Sequence, residues 1–244
     1  MLSPSEMKGK FEKLSEKDGY IDSIFNYCDR WCEKCSFTSR CRNFAFNENG
    51  PDADAPELWE YLGNIFKATM LMLEEKMLEL GIDPENLPEH ENKSISDPDA
   101  HPLFIQAKGL ANKMHDWLEK NKLEKYISDK FGIFKPEDAE VSRFKDSLEV
   151  IYWYMFLVPA KIGRALSGLT SDYSQNTDYD SNGSVKIALI SLDRLIAAWT
   201  VLMNRLPALE DEILHMLIDL TSVRKQTETL FPNARRFVRP GLDE

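Results

Sequence analysis

Glycine and proline are sparse here, eleven and twelve in 244 residues, and neither recurs with a period. That excludes collagen-like and low-complexity chains. Four cysteines are too few to form a disulfide framework for a chain of this length, which can bury a core without one. Long apolar runs are missing as well. The longest uninterrupted one, Val150 to Val158, sits beside Pro159 and Lys161, and a membrane span needs about 20 residues. It is expected to be a buried core helix, with no membrane attachment. The opening stretch MLSPSEMKGKFEKLSEKDG lacks the apolar segment of a secretory signal, so a cytoplasmic compartment with reduced thiols is expected. Basic charge is in deficit, 30 Lys+Arg against 41 Asp+Glu, for a net charge of −11. Duplex DNA is therefore disfavoured as a partner, because phosphate neutralisation needs a basic footprint. No G-x-S-x-G, Walker loop or dinucleotide fingerprint occurs, and no nucleophile–base pair stands out, so the question of catalysis stays open.

The charge that is present is unevenly placed. Residues 47–101 hold fourteen acids against Lys67, Lys76 and Lys93, and account for the whole net charge. The remainder is balanced. Apolar residues recur at helical spacing almost throughout, and alternation of period two is nearly absent. The pattern predicts helices over about 20–33, from Pro56 to Leu80, over 102–130, from Pro136 to Leu166 with a kink at Pro159, from Ser184 to Leu206, and from Pro207 to a point before Pro232. Residues 82–98, with Pro84, Pro88 and Pro98, read as a long loop. The helix after Ser184 is apolar nearly all round (Ile187, Leu189, Leu192, Leu195, Trp199, Leu202) and is expected to be central. The expectation is an all-α, single-domain bundle of five to six helices, with a metal-binding segment at 1–46 packed on a bundle at 47–244.

The densest chemistry is Cys28, Cys32, Cys35 and Cys41, four thiols in fourteen residues, spaced C-x3-C-x2-C-x5-C. On a continuing helix, Cys28, Cys32 and Cys35 share a face, and Cys41 returns from the next loop. Thiolates suit both zinc and iron–sulfur clusters. Structural zinc sites usually pair two separated two-cysteine knuckles, and no second knuckle exists, so a [4Fe–4S] cluster is the first expectation and zinc the alternative. Cys32–Cys41 resembles the C-x2-C-x5-C staple of RecB-like iron–sulfur nucleases and part of the auxiliary-cluster motif of SPASM-type radical enzymes. That resemblance covers ten residues and implies a ligand set. In those nucleases the remaining cysteine lies far upstream, and no nuclease carboxylate–lysine core is visible here. Cys28-x3-Cys32-x2-Cys35 also matches the radical-SAM triplet, whose implied α/β barrel the helical pattern of this chain opposes. Tyr27, Trp31, Phe37, Phe44 and Phe46 are candidates to exclude water from the cysteines. Arg30, Arg40 and Arg42 are candidates to offset thiolate charge.

Three weaker constellations accompany the cysteines. Lys161 and Arg164, with Arg194 from the next helix, form a candidate cofactor- or anion-binding site for a carboxylate or phosphate. Glu149 and Asp193 are the competing internal partners, and internal salt bridges are the expected outcome. Glu212-x-x-His215 has the spacing of a di-iron carboxylate helix, but such bundles need two of these motifs. Asp178, Asp180 and Asn182 before Gly183 resemble half of an EF-hand calcium loop, whose closing position falls on Leu189. Taken together these features point to a helical metalloprotein in redox chemistry, sensing or assistance to a partner enzyme. The alternatives are a zinc-stapled interaction module and an enzyme with a pocket between the central helices. A protein partner is expected, and a second copy of the chain is among the candidates.

Overall fold

The computed structural model describes residues 2–48, 50–52, 54–83, 98–123, 139–170 and 177–243. Among these residues there is no strand, and seven α-helices run in the order α1 Pro4–Glu16, α2 Arg42–Asn47, α3 Leu58–Glu79, α4 Pro102–Asn121, α5 Ala139–Thr170, α6 Thr177–Arg205 and α7 Glu210–Leu230. No helix among the described residues is long and apolar enough to cross a membrane. The chain divides into two compact units, Met1–Phe25 with Arg30–Lys93, and Asn26–Asp29 with Ser94–Glu244. Residues 47–93, which the sequence pattern grouped with the bundle, thus belong to the N-terminal unit, because α3 packs on α1.

In the first unit, the helix expected at 20–33 is absent. The helix lies earlier, where Ser3 caps α1, Ser3 and Glu6 form a reciprocal capping box, and Pro4 occupies the first turn. Residues 24–40 instead carry three short 3-10 turns, Ile24–Asn26, Cys32–Lys34 and Thr38–Arg40. Arg30 adopts a left-handed backbone with φ 61°, which no α-helix through this stretch can contain. Phe11 of α1 stacks on Phe46 of α2 at 3.9 Å between ring centroids, and Lys10 donates to the Phe46 carbonyl at 2.6 Å. α3 leans on α1 through Ala68, which is fully buried, and a Lys8–Glu75 ion pair. It ends as expected, with Gly81 in the left-handed region at φ 68°.

The second unit is the bundle of α4 to α7. α6 packs against both α5 and α7 and supplies much of the core, with Ile187, Leu189, Leu192, Leu195, Trp199 and Leu202 almost entirely shielded. Its predicted central place follows from that all-round apolarity. Trp117 of α4 meets Trp199 edge-on at 5.0 Å. α5 continues as helix through Pro159, which removes a donor without ending the element. The start of α6 differs from expectation. It begins at Thr177, so Ser184 is not its N-cap but a fully buried residue one turn and more inside. The polar stretch read as a calcium half-loop is helical from Thr177 onward, and residues 171–176 lie outside the described residues. The expected loop at 82–98 and the start of the fourth helix at Pro136 also fall largely outside them.

Candidate metal-ligand turns and the anchored segment 26–29

The cysteine segment is built from turns, with its base closed by the Ile21 amide donating to the Arg40 carbonyl at 3.0 Å. Within the loop, the Cys32 amide donates to the Arg30 carbonyl at 2.9 Å and the Cys35 amide to the Cys32 carbonyl at 3.1 Å. The Cys32-x2-Cys35 pair therefore sits on one tight turn. The Phe37 amide donates to Cys35 Sγ at 3.4 Å. The next turn is closed by the Cys41 amide on the Thr38 carbonyl at 3.2 Å, and Cys41 stands immediately before α2. All four cysteines are free of disulfides and half-buried. Among the described residues, no group of three or more His, Cys, Asp or Glu side chains is gathered as a metal site.

The surroundings of the cysteines have other tasks. Arg42 donates to the Leu14 carbonyl at 3.1 Å, pairs with Asp22 and lies 5.7 Å from the Tyr20 ring centre. Arg30 and Arg40 are exposed. Phe46 belongs to the α1–α2 contact, whereas Tyr27 belongs to the bundle core with Ile187 and Phe237. Lys34 lies 4.8 Å from the centre of the Trp31 ring. Of the five aromatics that flank the cysteines in sequence, two are thereby fixed in hydrophobic contacts of their own.

Cys28 falls in the short segment 26–29 that packs with the bundle, and this segment is held at two points. Tyr27 lies against Gly183 of α6, so close that a Cβ there would come within 2.3 Å of its ring. That contact explains a glycine inside a helix, and its hydroxyl reaches Asp180 Oδ1 at 3.5 Å. Asp29 is gripped from α5 and α6. Tyr154 donates its hydroxyl to Asp29 Oδ2 at 2.6 Å, Arg194 donates to the same oxygen at 2.7 Å and also to the Tyr154 hydroxyl, and Trp153 Nε1 donates to the Asp29 carbonyl at 3.0 Å. Burial, followed by the neighbouring Asp29 carboxylate, pushes the Tyr154 phenol well above the usual tyrosine range. Asp29, Trp153 and Tyr154 were not among the residues singled out from sequence. Asp29 was hidden between Cys28 and Cys32, and its partners lie more than a hundred residues away.

The three cations proposed for an anion site are differently engaged. Arg164 grips Asp180 through both Nε, at 3.2 Å, and Nη2, at 2.8 Å. Arg194 is committed to Asp29 and Tyr154, and Lys161 is buried on α5. The acids that engage these arginines are thus Asp180 and Asp29, in place of Glu149 and Asp193. Asp193 binds Arg224 at 3.1 Å and Arg235 at 2.5 Å. Burial raises its carboxyl, but the two guanidiniums outweigh that and hold it below the usual range. Glu212 accepts from Trp117 Nε1 at 2.7 Å, and with His215 it borders an open depression of about 300 Å³ between α4 and α7. Asp180, held by Arg164 on a helical backbone, is not a residue of a calcium loop.

No known protein family, curated protein or solved structure matches this chain.

Proposed function

We propose that Cys28, Cys32, Cys35 and Cys41 are the ligands of a tetrathiolate metal centre. The first reading is a [4Fe–4S] cluster that serves redox chemistry, sensing or a partner enzyme. The observation that carries the proposal is the Cys32–Cys35 turn, in which Cys35 Sγ already accepts the Phe37 amide. Four unlinked, half-buried thiols in a loop closed at its base add to it. Metal binding is coupled to local folding at such sites, because the ligand set is completed only around the ion. A second reading, structural zinc in an interaction module, is favoured by one specific observation. The cysteines lie on turns and not on a helix face, and short turns of this kind suit a small tetrahedral ion.

Metal analysis of the full chain purified without oxygen tests the proposal. Iron with matching inorganic sulfide and a brown colour support the cluster, whereas stoichiometric zinc in a colourless protein supports the second reading. Each single Cys→Ser substitution is expected to reduce metal content and lower the melting temperature of the N-terminal unit. Unchanged metal content and unchanged melting in all four variants would sink the tetrathiolate centre in either form.

A further inference from the structure

α3 has two apolar faces, and α1 covers one of them. The other runs as Trp59, Gly63, Phe66, Met70, Leu73, Met77 and Leu80, alternating steps of four and three residues without a break. A 4-3 alternation has a mean period of 3.5, the spacing of a helix that meets another helix along a supercoiled seam. A helix buried against an irregular core does not require that period. The seam is open, with Trp59 80%, Phe66 72%, Met70 53%, Leu73 50% and Leu80 63% exposed. Isolated exposed apolar residues need no explanation, but a contiguous stripe along about 33 Å of helix marks an interaction surface.

The charges beside the stripe identify what covers it. Lys67 and Glu74 lie on the same edge of the seam, both exposed, and neither has an ion-pair partner among the described residues. Residues on one edge of a helix meet the same edge of an antiparallel neighbour. In an antiparallel pair of α3 helices with its twofold axis near Met70, Phe66 faces Leu73 of the second copy. Gly63 leaves room for Met77 of the second copy, and Lys67 reaches Glu74 of the second copy. The twofold repeats each contact, giving two ion pairs from one set of residues. A parallel pair brings the Lys67–Glu74 edge against the opposite edge, which carries Thr69 and Lys76, and Lys76 is already joined to Glu79 at 2.7 Å.

We infer that the exposed seam of α3 is a self-association surface, on which a second copy of the chain docks its own α3 antiparallel. This inference stands apart from the metal proposal, since no cysteine contributes to the seam.

Sedimentation equilibrium of the full chain tests it, with metal content measured on the same sample so that the two proposals are scored separately. The wild type is expected to be a dimer. Phe66→Glu combined with Leu73→Glu is expected to be monomeric with unchanged helical circular dichroism, because both side chains point away from the unit's own core. Lys67→Glu and Glu74→Lys should each weaken the dimer by about tenfold, since each replaces two attractions by two repulsions at an exposed rim. Their combination should restore affinity to within about threefold of wild type, because the exchanged charges again meet their opposites. A monomeric wild type, or a dimer indifferent to the Phe66 and Leu73 substitutions, overturns the inference. A double charge exchange no tighter than either single variant overturns the antiparallel arrangement.

Discussion

The two units of this chain differ in how much they shield. In the bundle, Tyr154, Ile162, Leu192, Leu195, Trp199 and many others have almost no contact with solvent. In the N-terminal unit only Met7, Ile24, Phe46 and Ala68 are buried among the described residues, although the unit extends to Lys93. Hydrophobic stabilisation scales with apolar area removed from water, so the bundle is stabilised by its own core and the first unit by very little of one. Units with small cores usually depend on a metal, a crosslink or a partner. Three of the four cysteines proposed as ligands, and the open α3 seam proposed for self-association, lie in this unit. The proposed centre and the proposed self-association thus answer the same physical deficit. The lesson of the contrast is that the first unit should respond to metal and concentration, and the second to mutations in its interior.

The largest expected effect is in the bundle. Trp199→Ala removes a ring shielded from all sides and edge-packed on Trp117, and should lower stability by about 3–5 kcal/mol, measured by denaturant unfolding. A loss below about 1 kcal/mol would break the contrast between the units. Gly183→Ala comes next. Alanine is intrinsically the better helix residue by about 1 kcal/mol, yet its Cβ would press into the Tyr27 ring, so a net loss of about 1–3 kcal/mol is expected. Tyr27→Leu in the same chain should return much of it, and full additivity of the two changes would contradict the contact.

A smaller change is expected at Asp29→Asn, about 1–2 kcal/mol, because Arg194 is half-exposed and can recover water when its acid is lost. The pH dependence gives a sharper readout. The folded-state pKa of Tyr154 is raised above its unfolded value, so its contribution to stability is complete below the unfolded value, near pH 10. It is lost as pH climbs towards the folded value. Burial also raises Tyr61, so ultraviolet titration of the native protein should show Tyr154 as the tyrosine most resistant to ionisation, and Asp29→Asn should bring the Tyr154 ionisation down. The smallest effect belongs to the first unit. Leu78→Ala, on an exposed position of α3 beside the seam, should alter the stability of the chain by no more than about 0.5 kcal/mol. A loss comparable to that of Trp199→Ala would mean that the first unit has a core of its own after all.

Much of the helical architecture could be read from residue spacing. The all-round apolarity of α6 announced a central helix, the apolar spacing from Pro56 to Leu80 announced α3 and its end, and the absence of period-two alternation agrees with a fold that has no strand among the described residues. The misreadings are as instructive. The Ser3–Glu6 capping box was a visible start signal for α1, and the apolar residues at 21–31 outweighed it in the pattern although they belong to turns. Local signals of polarity and glycine placed a loop at 178–183, where Tyr27 packing on Gly183 and Arg164 holding Asp180 make helix instead.

By itself, the sequence of this protein determined its helical class, the central place of α6, and the concentration of four thiols in one short loop, since each follows from residue type and spacing along a single segment. Tertiary structure alone decided which acid holds which arginine, why a glycine stands inside α6, and which face of α3 stays bare. Those outcomes depend on residues far apart in the chain arriving at one place. Periodicity along a segment carries no record of that.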